Sequence, residues 1–296
     1  MFRYHEANFT TWDLADHYGP AEDLIGEFRR GFVARHAEEQ LGEIQAFTKW
    51  VPYPGVMTRV IVEQAVDVSL RRMGVKYLDL LQFHWWDYGD PRYLDALKHL
   101  ADLREAGKIR HLALTNFDTE HLQTITERGI RIVSNQVQYS LVDRRPAMQM
   151  AAYCANHEIS LLTYGTVLGG LLSEKYLSQS EPVRGELATA SLQKYKQMID
   201  AWGGWVLFQK LLAALKPIAD KHHVGIANVG MRYILDQQAV AGVIVGARLG
   251  IAEHIADNAR TFDFDLDADD NTAIESVLAK SRDLMRVIGD CGAEYR

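Results

Sequence analysis

The sequence is poor in the features that mark secreted, membrane-spanning or nucleic-acid-binding chains. Its 296 residues hold two cysteines, Cys154 and Cys291. That is too few for a disulfide framework, and they lack CxxC spacing, which points to a reducing, cytoplasmic setting. No stretch approaches the roughly 18 uncharged apolar residues that a bilayer-spanning helix needs. The opening MFRYHEANFTTWDLADHYG is charged throughout and has no apolar h-region, so it does not read as a signal peptide. Thirty-two Lys+Arg against 39 Asp+Glu leave a net charge of −7. A general nucleic-acid binder needs the opposite, a basic face that displaces phosphate counterions. Proline is scarce, and there is no low-complexity tract or Ser/Gly-rich linker to divide the chain. Both GxGxxG and GxxxxGK[ST] are missing, which argues against a doubly wound dinucleotide fold and a P-loop.

What is present is a globular composition, 48% hydrophobic and 24% charged, in which short apolar runs alternate with longer amphipathic ones. The short runs 8–13, 44–49, 78–84, 111–116, 133–139, 160–164 and 242–246 are largely continuous in apolar residues, as strands buried on both faces are. Helical spacing fills the intervals at 60–73, 93–106, 118–129, 145–158, 207–222, 226–237 and 267–286, with Gly74 and Gly107 as stops and Asp118 as an N-cap. Strand and helix alternating seven times predicts an α/β fold with a parallel sheet, and a (β/α)8 TIM-type barrel over a doubly wound one.

The polar residues fall at informative places. The first four runs end in Asp13, Lys49, His84 and Asn116 and the sixth in Tyr164, while the fifth carries Asn135, Gln136 and Gln138 among apolar neighbours. In a barrel the C-terminal strand ends share one mouth, so these groups are expected in a common cavity. Tyr18 follows Asp13 by five residues. A nearby Lys49 ammonium is expected to lower the Tyr18 pKa, and Asp13 to keep the lysine charged and oriented. His84 can hydrogen-bond a substrate oxygen. The set holds acid, base and electrophilic groups without a nucleophile, which suits proton transfer to a carbonyl oxygen.

Bland readings stand beside these. His17 reads as a loop residue, His222-His223 as a solvated helix end, Cys154 as a small buried hydrophobe, and Asp263–Asp270 as a helix entry. The AWGGWVLFQ segment reads as a helix-start turn or as a mobile lid. No metal site is expected.

The segments TTWDLADHYGPAE, FTK, LDLLQFHWW, LALTNFD, SNQVQYS, LLTYGTVLGGLLSEKY and VIVGAR…ADN, in this order over residues 9–265, resemble the aldo-keto reductase family. The resemblance implies a barrel that transfers hydride from NADPH to an aldehyde or ketone, the small-molecule substrate. It puts the catalytic tetrad on Asp13, Tyr18, Lys49 and His84, with Tyr18 as general acid. It puts nicotinamide-carboxamide contacts on Thr115, Asn116 and Gln136, the stacking aromatic on Tyr164, and the pyrophosphate loop on Gly165, Thr166, Val167 and Gly169. At the adenosine end it implies Gly246, Arg248 for the 2′-phosphate, and Asp257 and Asn258 near the adenine. His254 stands where a second cation is often found. One guanidinium still favours NADPH, with NADH use open. Trp50, Tyr53, Trp85 and Trp86 adjoin tetrad positions and predict an aromatic-walled substrate pocket. The same motifs also suit a nucleotide-binding regulatory subunit with little turnover, as in the reductase-like beta subunits of potassium channels.

The chain is thus expected to form one barrel domain, 1–296, as a monomer or small homo-oligomer. Relatives carry a further strand before the one that ends in the tetrad aspartate. Here Asp13 comes too early, so the barrel is expected to lack its first strand at the N-terminus, with a gap near residues 1–13 and the strand at 242–246.

Overall fold

The computed structural model describes residues 1–295. The strands are β1 (Thr11–Asp13), β2 (Gln45–Trp50), β3 (Leu78–Phe83), β4 (Ile109–Thr115), β5 (Ser134–Gln138), β6 (Ser160–Tyr164) and β7 (Val240–Val243). They follow one another in the sheet in sequence order. Every described pairing is parallel, with Asp13 opposite Phe47, Phe47 opposite Leu80, Leu80 opposite His111 and Thr115 opposite Gln136. This is the sequential β/α order of the TIM-type barrel with seven strands, not eight, among the described residues. β1 and β7 stand at the two ends of the order, as expected.

Two compact units make up the chain: residues 1–136 with 158–160 and Tyr295, and residues 137–157 with 161–294. In the first, α1 (Phe2–Glu6), α2 (Ala21–Val33), α3 (Arg59–Met73), α4 (Tyr93–Glu105) and α5 (Thr119–Glu127) accompany β1–β4. Helix α2 has no strong start signal in the sequence, yet Ile25, Phe28 and Phe32 give it a buried stripe. Phe2 of α1 sets its ring edge-on to Phe28 at 4.9 Å. A Cβ on Gly26 would lie 2.6 Å from the Arg72 carbonyl oxygen, so glycine is what lets α2 approach α3. The expected stops and cap are present: Gly74 is left-handed at φ 65°, and the Asp118 carboxylate accepts from the His121 N–H.

The second unit holds α6 (Arg145–Met148), α7 (Met150–Asn156), α8 (Ala190–Trp202), α9 (Gly204–Lys221), α10 (Ile226–Leu235), α11 (Ile255–Ala259), α12 (Ala268–Leu278) and α13 (Leu284–Val287), of which α8, α9, α10, α12 and α13 share a core that includes Trp202, Phe208, Leu211, Leu215, Ile234 and Ile274. Two long helices expected from the sequence are broken. Gln149 at φ −148° separates α6 from α7, and Asp283 caps a fresh turn after residues 279–282. Strand β7 begins two residues earlier than expected, and its register against β6 shifts between Leu161 and Leu162. The paired glycines of AWGGWVLFQ form a helix start, with Gly204 opening α9. Asp267 caps α12 by accepting from Asp269 and Asp270 N–H, as the acidic run suggested. Among the described residues no helix is long and apolar enough to cross a membrane.

Candidate active site

In the first unit the short strand β1 delivers Asp13, and the chain beyond it stays tied to β2. Leu14 N–H donates to the Phe47 carbonyl (2.8 Å) and Asp16 N–H to the Lys49 carbonyl (3.0 Å). The Asp16 carboxylate takes the Val51 N–H at 3.1 Å, and its carbonyl takes Arg72 Nη1 at 3.1 Å. These bonds hold the loop that presents Tyr18, which turns at Gly19 (φ 54°). His17 bonds its neighbour Asp16 and is a loop residue.

Lys49 is buried and donates from Nζ to Asp13 Oδ2 at 2.5 Å and to the Leu14 carbonyl at 3.0 Å. The same Nζ lies 5.2 Å from the centre of the Tyr18 ring. Lys49 and Asp13 are thus bonded and Tyr18 lies beside them, three of the four residues expected as a tetrad. Burial pulls the Lys49 pKa below the usual lysine value, with Asp13 acting against it. The Tyr18 phenol moves opposite to expectation. Loss of solvent around it, then the charge of Asp13, the Tyr295 phenol and Asp16 push it up to about 12. The residue is 49% exposed, so it is the surroundings of the phenol, not enclosure of the whole side chain, that set this direction.

His84, just after β3, is buried, and its Nδ1 lies 3.2 Å from the Thr115 carbonyl oxygen. A carbonyl only accepts, so Nδ1 carries the proton. Nε2 then holds a lone pair in the neutral ring and donates only in the imidazolium. The rings of Trp86 and Tyr295 meet His84 edge-on at 4.5 and 6.4 Å.

The Asp13 carboxylate has a second set of partners. Its Oδ1 accepts from Gln82 Nε2 (2.9 Å) and Gln136 Nε2 (2.8 Å), and Gln136 Nε2 also donates to Gln82 Oε1 at 2.7 Å. Gln136 is therefore bonded to Asp13, and both of its N–H groups are spent on Asp13 and Gln82. The Thr115 hydroxyl donates to the Gln136 carbonyl at 3.2 Å, and Asn116, left-handed at φ 58°, donates its N–H to the same carbonyl at 2.8 Å. Sequence reasoning missed Gln82, Asp16 and Tyr295. Gln82 did leave a signal: a polar residue inside LDLLQF, two before His84 and so on the same strand face. Gln138, grouped with the cavity amides by sequence, instead bonds Asp143 at 2.7 Å in the second unit, where Asp143 is paired with Arg145.

The expected four-sided aromatic wall is corrected by the structure. Trp86, 37% exposed, does face His84. Trp50 is buried with its ring 5.5 Å from that of Phe83. Trp85 is fully buried, its Nε1 donating to the Asp87 and Asp90 carbonyls, and Tyr53 is 88% exposed.

The second unit holds the other expected cofactor residues. Tyr164 ends β6 with the Lys194 ammonium 5.2 Å from its ring centre. The loop that follows is shaped by its own helix. A Cβ at Gly165 would meet the Tyr195 hydroxyl at 2.6 Å, and one at Gly169 would meet Tyr195 at 3.0 Å and Ser191 at 3.3 Å. Packing of α8 thus accounts for these two glycines, which the sequence had assigned to a ligand's close approach. The Thr166 hydroxyl donates to the Tyr139 carbonyl, and the Val167 carbonyl accepts the Gly170 N–H. Gly246 has open space where a Cβ would sit. Arg248 is exposed at a turn, accepting Ile251 and Ala252 N–H on its carbonyl, and its guanidinium has no ion pair among the described residues. Asp257 and Asn258 lie on α11. The buried Asn228 anchors that helix by donating to the Asp257 carbonyl at 2.7 Å, while the Asp257 carboxylate is 3.9 Å from Arg260.

Residues 1–279 match a model of the aldo/keto reductase family. Flagellar radial spoke protein 5 of Chlamydomonas reinhardtii is 35% identical over 177 residues, covering 54% of this chain and 33% of its own, so the match spans about a third of that relative's length. The glycerol dehydrogenase of Gluconobacter oxydans superposes with a TM-score of 0.76 at 21% identity, over 94% of this chain and 84% of its own. An aldo/keto reductase from Klebsiella pneumoniae, solved with NADP and acetate, gives 0.68 at 21% identity over 93% and 82%. At that identity these likenesses establish the fold.

Proposed function

Since this chain belongs to the aldo/keto reductase family, we propose that it is an NADPH-dependent oxidoreductase that reduces aldehydes or ketones to alcohols, with Tyr18 as the general acid. The observation that carries this reading is the joined trio in which buried Lys49 bonds Asp13 at 2.5 Å and lies 5.2 Å from the Tyr18 ring. NADPH, when bound, supplies the hydride. Tyr18, with its pKa near 12, keeps its proton across the physiological range and releases it to the carbonyl oxygen as charge develops there. The Lys49 ammonium offsets the phenolate left behind, and Asp13 holds that ammonium in place. His84 donates to the substrate oxygen from Nε2 when the ring is protonated, and in the neutral state it accepts from the product hydroxyl.

The residues suit the dinucleotide at both ends. Thr115, Asn116 and Gln136 cluster at the tops of β4 and β5, and the spent N–H groups of Gln136 leave its carbonyl to accept from the carboxamide. The exposed Arg248 has the planar, permanent charge that a 2′-phosphate takes, and NADPH is therefore favoured over NADH. Within the second unit Gly246, Asp257 and Asn258 are the further residues proposed for the adenosine end, and Tyr164, Thr166 and Val167 those for the nicotinamide face and the pyrophosphate. Trp86 beside His84 favours apolar or aromatic carbonyl compounds as small-molecule substrates.

The test is a steady-state screen of aromatic and aliphatic aldehydes with NADPH and NADH side by side, repeated with Tyr18→Phe. Turnover that disappears in Tyr18→Phe while NADPH still binds supports the reading. Unaltered turnover in that variant overturns the role of Tyr18. Tight NADPH binding with no turnover of any carbonyl compound favours a nucleotide-binding regulatory subunit instead.

A further inference from the structure

Gln82 is fully buried near the end of β3 between Leu81 and Phe83, where an amide is costly unless both of its ends are bonded. Both are. Its Nε2 donates to Asp13 Oδ1 at 2.9 Å, and its Oε1 accepts from Gln136 Nε2 at 2.7 Å. The orientations of the two amides follow from chemistry alone. An ionised carboxylate only accepts, so the atoms facing Asp13 Oδ1 from Gln82 and from Gln136, at 2.9 and 2.8 Å, are both nitrogens. Turning Gln82 over would set its oxygen against the carboxylate and its nitrogen against the nitrogen of Gln136. Turning Gln136 over would set its oxygen against two acceptors at once. Only one arrangement satisfies the ring of three side chains, and in it Gln136 has no donor left to offer.

We propose that Gln82 is a positioning residue: Asp13 holds one N–H of Gln136 and Gln82 takes up the other, so that this side chain shows a ligand a hydrogen-bond acceptor and not a donor, and so selects a cofactor ring bearing an amide N–H2. The same bonds fix the plane of Asp13, with Oδ1 taken by two amides and Oδ2 turned to Lys49. The proposal deepens the cofactor-binding reading above and rests on it. A carboxamide has the N–H2 that the Gln136 oxygen needs, whereas a methyl ketone at the same ring position keeps the carbonyl and loses the donor.

The experiment measures binding, without turnover, of NADPH and of the reduced 3-acetylpyridine analogue by quenching of the intrinsic tryptophan fluorescence. The wild type is expected to prefer NADPH by about fivefold, the worth of one ordinary hydrogen bond. Gln82→Met, which keeps the volume but neither bond, is expected to bring the ratio close to one. Gln82→Glu keeps the test open should the Met variant not fold. A carboxyl oxygen at residue 82 accepts the Gln136 N–H whether or not that group is ionised, as the amide oxygen does now, so this variant is expected to retain the preference. A full preference in Gln82→Met, or a lost one in Gln82→Glu, overturns the positioning role. Wild-type protein that binds both dinucleotides equally overturns it while leaving the cofactor reading intact. Wild-type protein that binds neither overturns both.

Discussion

Asp13→Asn isolates what the carboxylate does for the buried lysine. The substitution keeps the size and leaves an amide oxygen for Gln82 and Gln136, but it turns an N–H2 group toward Lys49 Nζ, which sat 2.5 Å from the carboxylate oxygen. Lys49 is then left with the Leu14 carbonyl as its bonded acceptor. Removing one partner of a buried pair costs about 3–5 kcal/mol when the survivor stays charged. The lysine limits that loss by giving up its proton, since burial already pulls its pKa down and Asp13 is what opposed the fall. The sign follows from proton counting. In the variant the folded state holds one proton fewer than the unfolded chain, from the depressed folded pKa up to the unfolded lysine value near 10.4. Stability therefore rises with pH through that window, by about 1.4 kcal/mol per pH unit at most. The wild type, which keeps the lysine protonated further up, gains less over the same range. Urea denaturation of both proteins at neutral and mildly alkaline pH should show a deficit of about 3 kcal/mol that narrows as the pH rises. A deficit under about 1 kcal/mol, or one that does not change with pH, would refute the claim that Asp13 is the counter-charge holding Lys49 protonated.

Three further outcomes follow from other contacts. Gly26→Ala forces a methyl group to within 2.6 Å of the Arg72 carbonyl, and should cost about 1–3 kcal/mol in thermal or urea unfolding while the site's ligand binding is unchanged. Arg248→Ala removes an exposed guanidinium that has no ion pair among the described residues, and should weaken NADPH binding about tenfold with little effect on NADH, as titration of both dinucleotides will show. Asp118→Ala deletes the cap that accepts the His121 N–H at 2.8 Å, and a loss of about 1 kcal/mol in unfolding free energy is expected.

The strands and the charged groups at their ends were legible in the sequence because both are written as contrasts. A continuous apolar run marks a strand buried on two faces, and a charge at its end stands out, so Asp13, Lys49 and His84 could be placed before any coordinates. Helices α2 and α8 were missed because their amphipathic stripes lack a strong opening signal, apart from a lone Thr189 at the start of α8. Gly165 and Gly169 are ambiguous in the sequence for a related reason. A missing side chain announces that something comes close, and the sequence cannot say whether that is a ligand or, as here, Tyr195 of the next helix.

The Tyr18 pKa shows a deeper limit. From the sequence, the one cation expected beside the phenol argued for a lowered value. In the structure that cation is already neutralised by Asp13, and what remains is desolvation together with the charges of Asp13 and Asp16 and the Tyr295 phenol, all acting upward. The sign of an electrostatic effect depends on every charge within a few ångströms, and spacing along the chain supplies only some of them. Hydrogen-bond polarity is different, because it can be reasoned outward from one certain group. Asp13 can only accept, and from that single constraint the orientations of Gln82 and Gln136 follow, and with them the character of the face that this site turns to a ligand. The residue that completes the chain of bonds, Gln82, was visible in the sequence as the one amide inside LDLLQF, and its meaning emerged only when the three side chains were seen to close on each other.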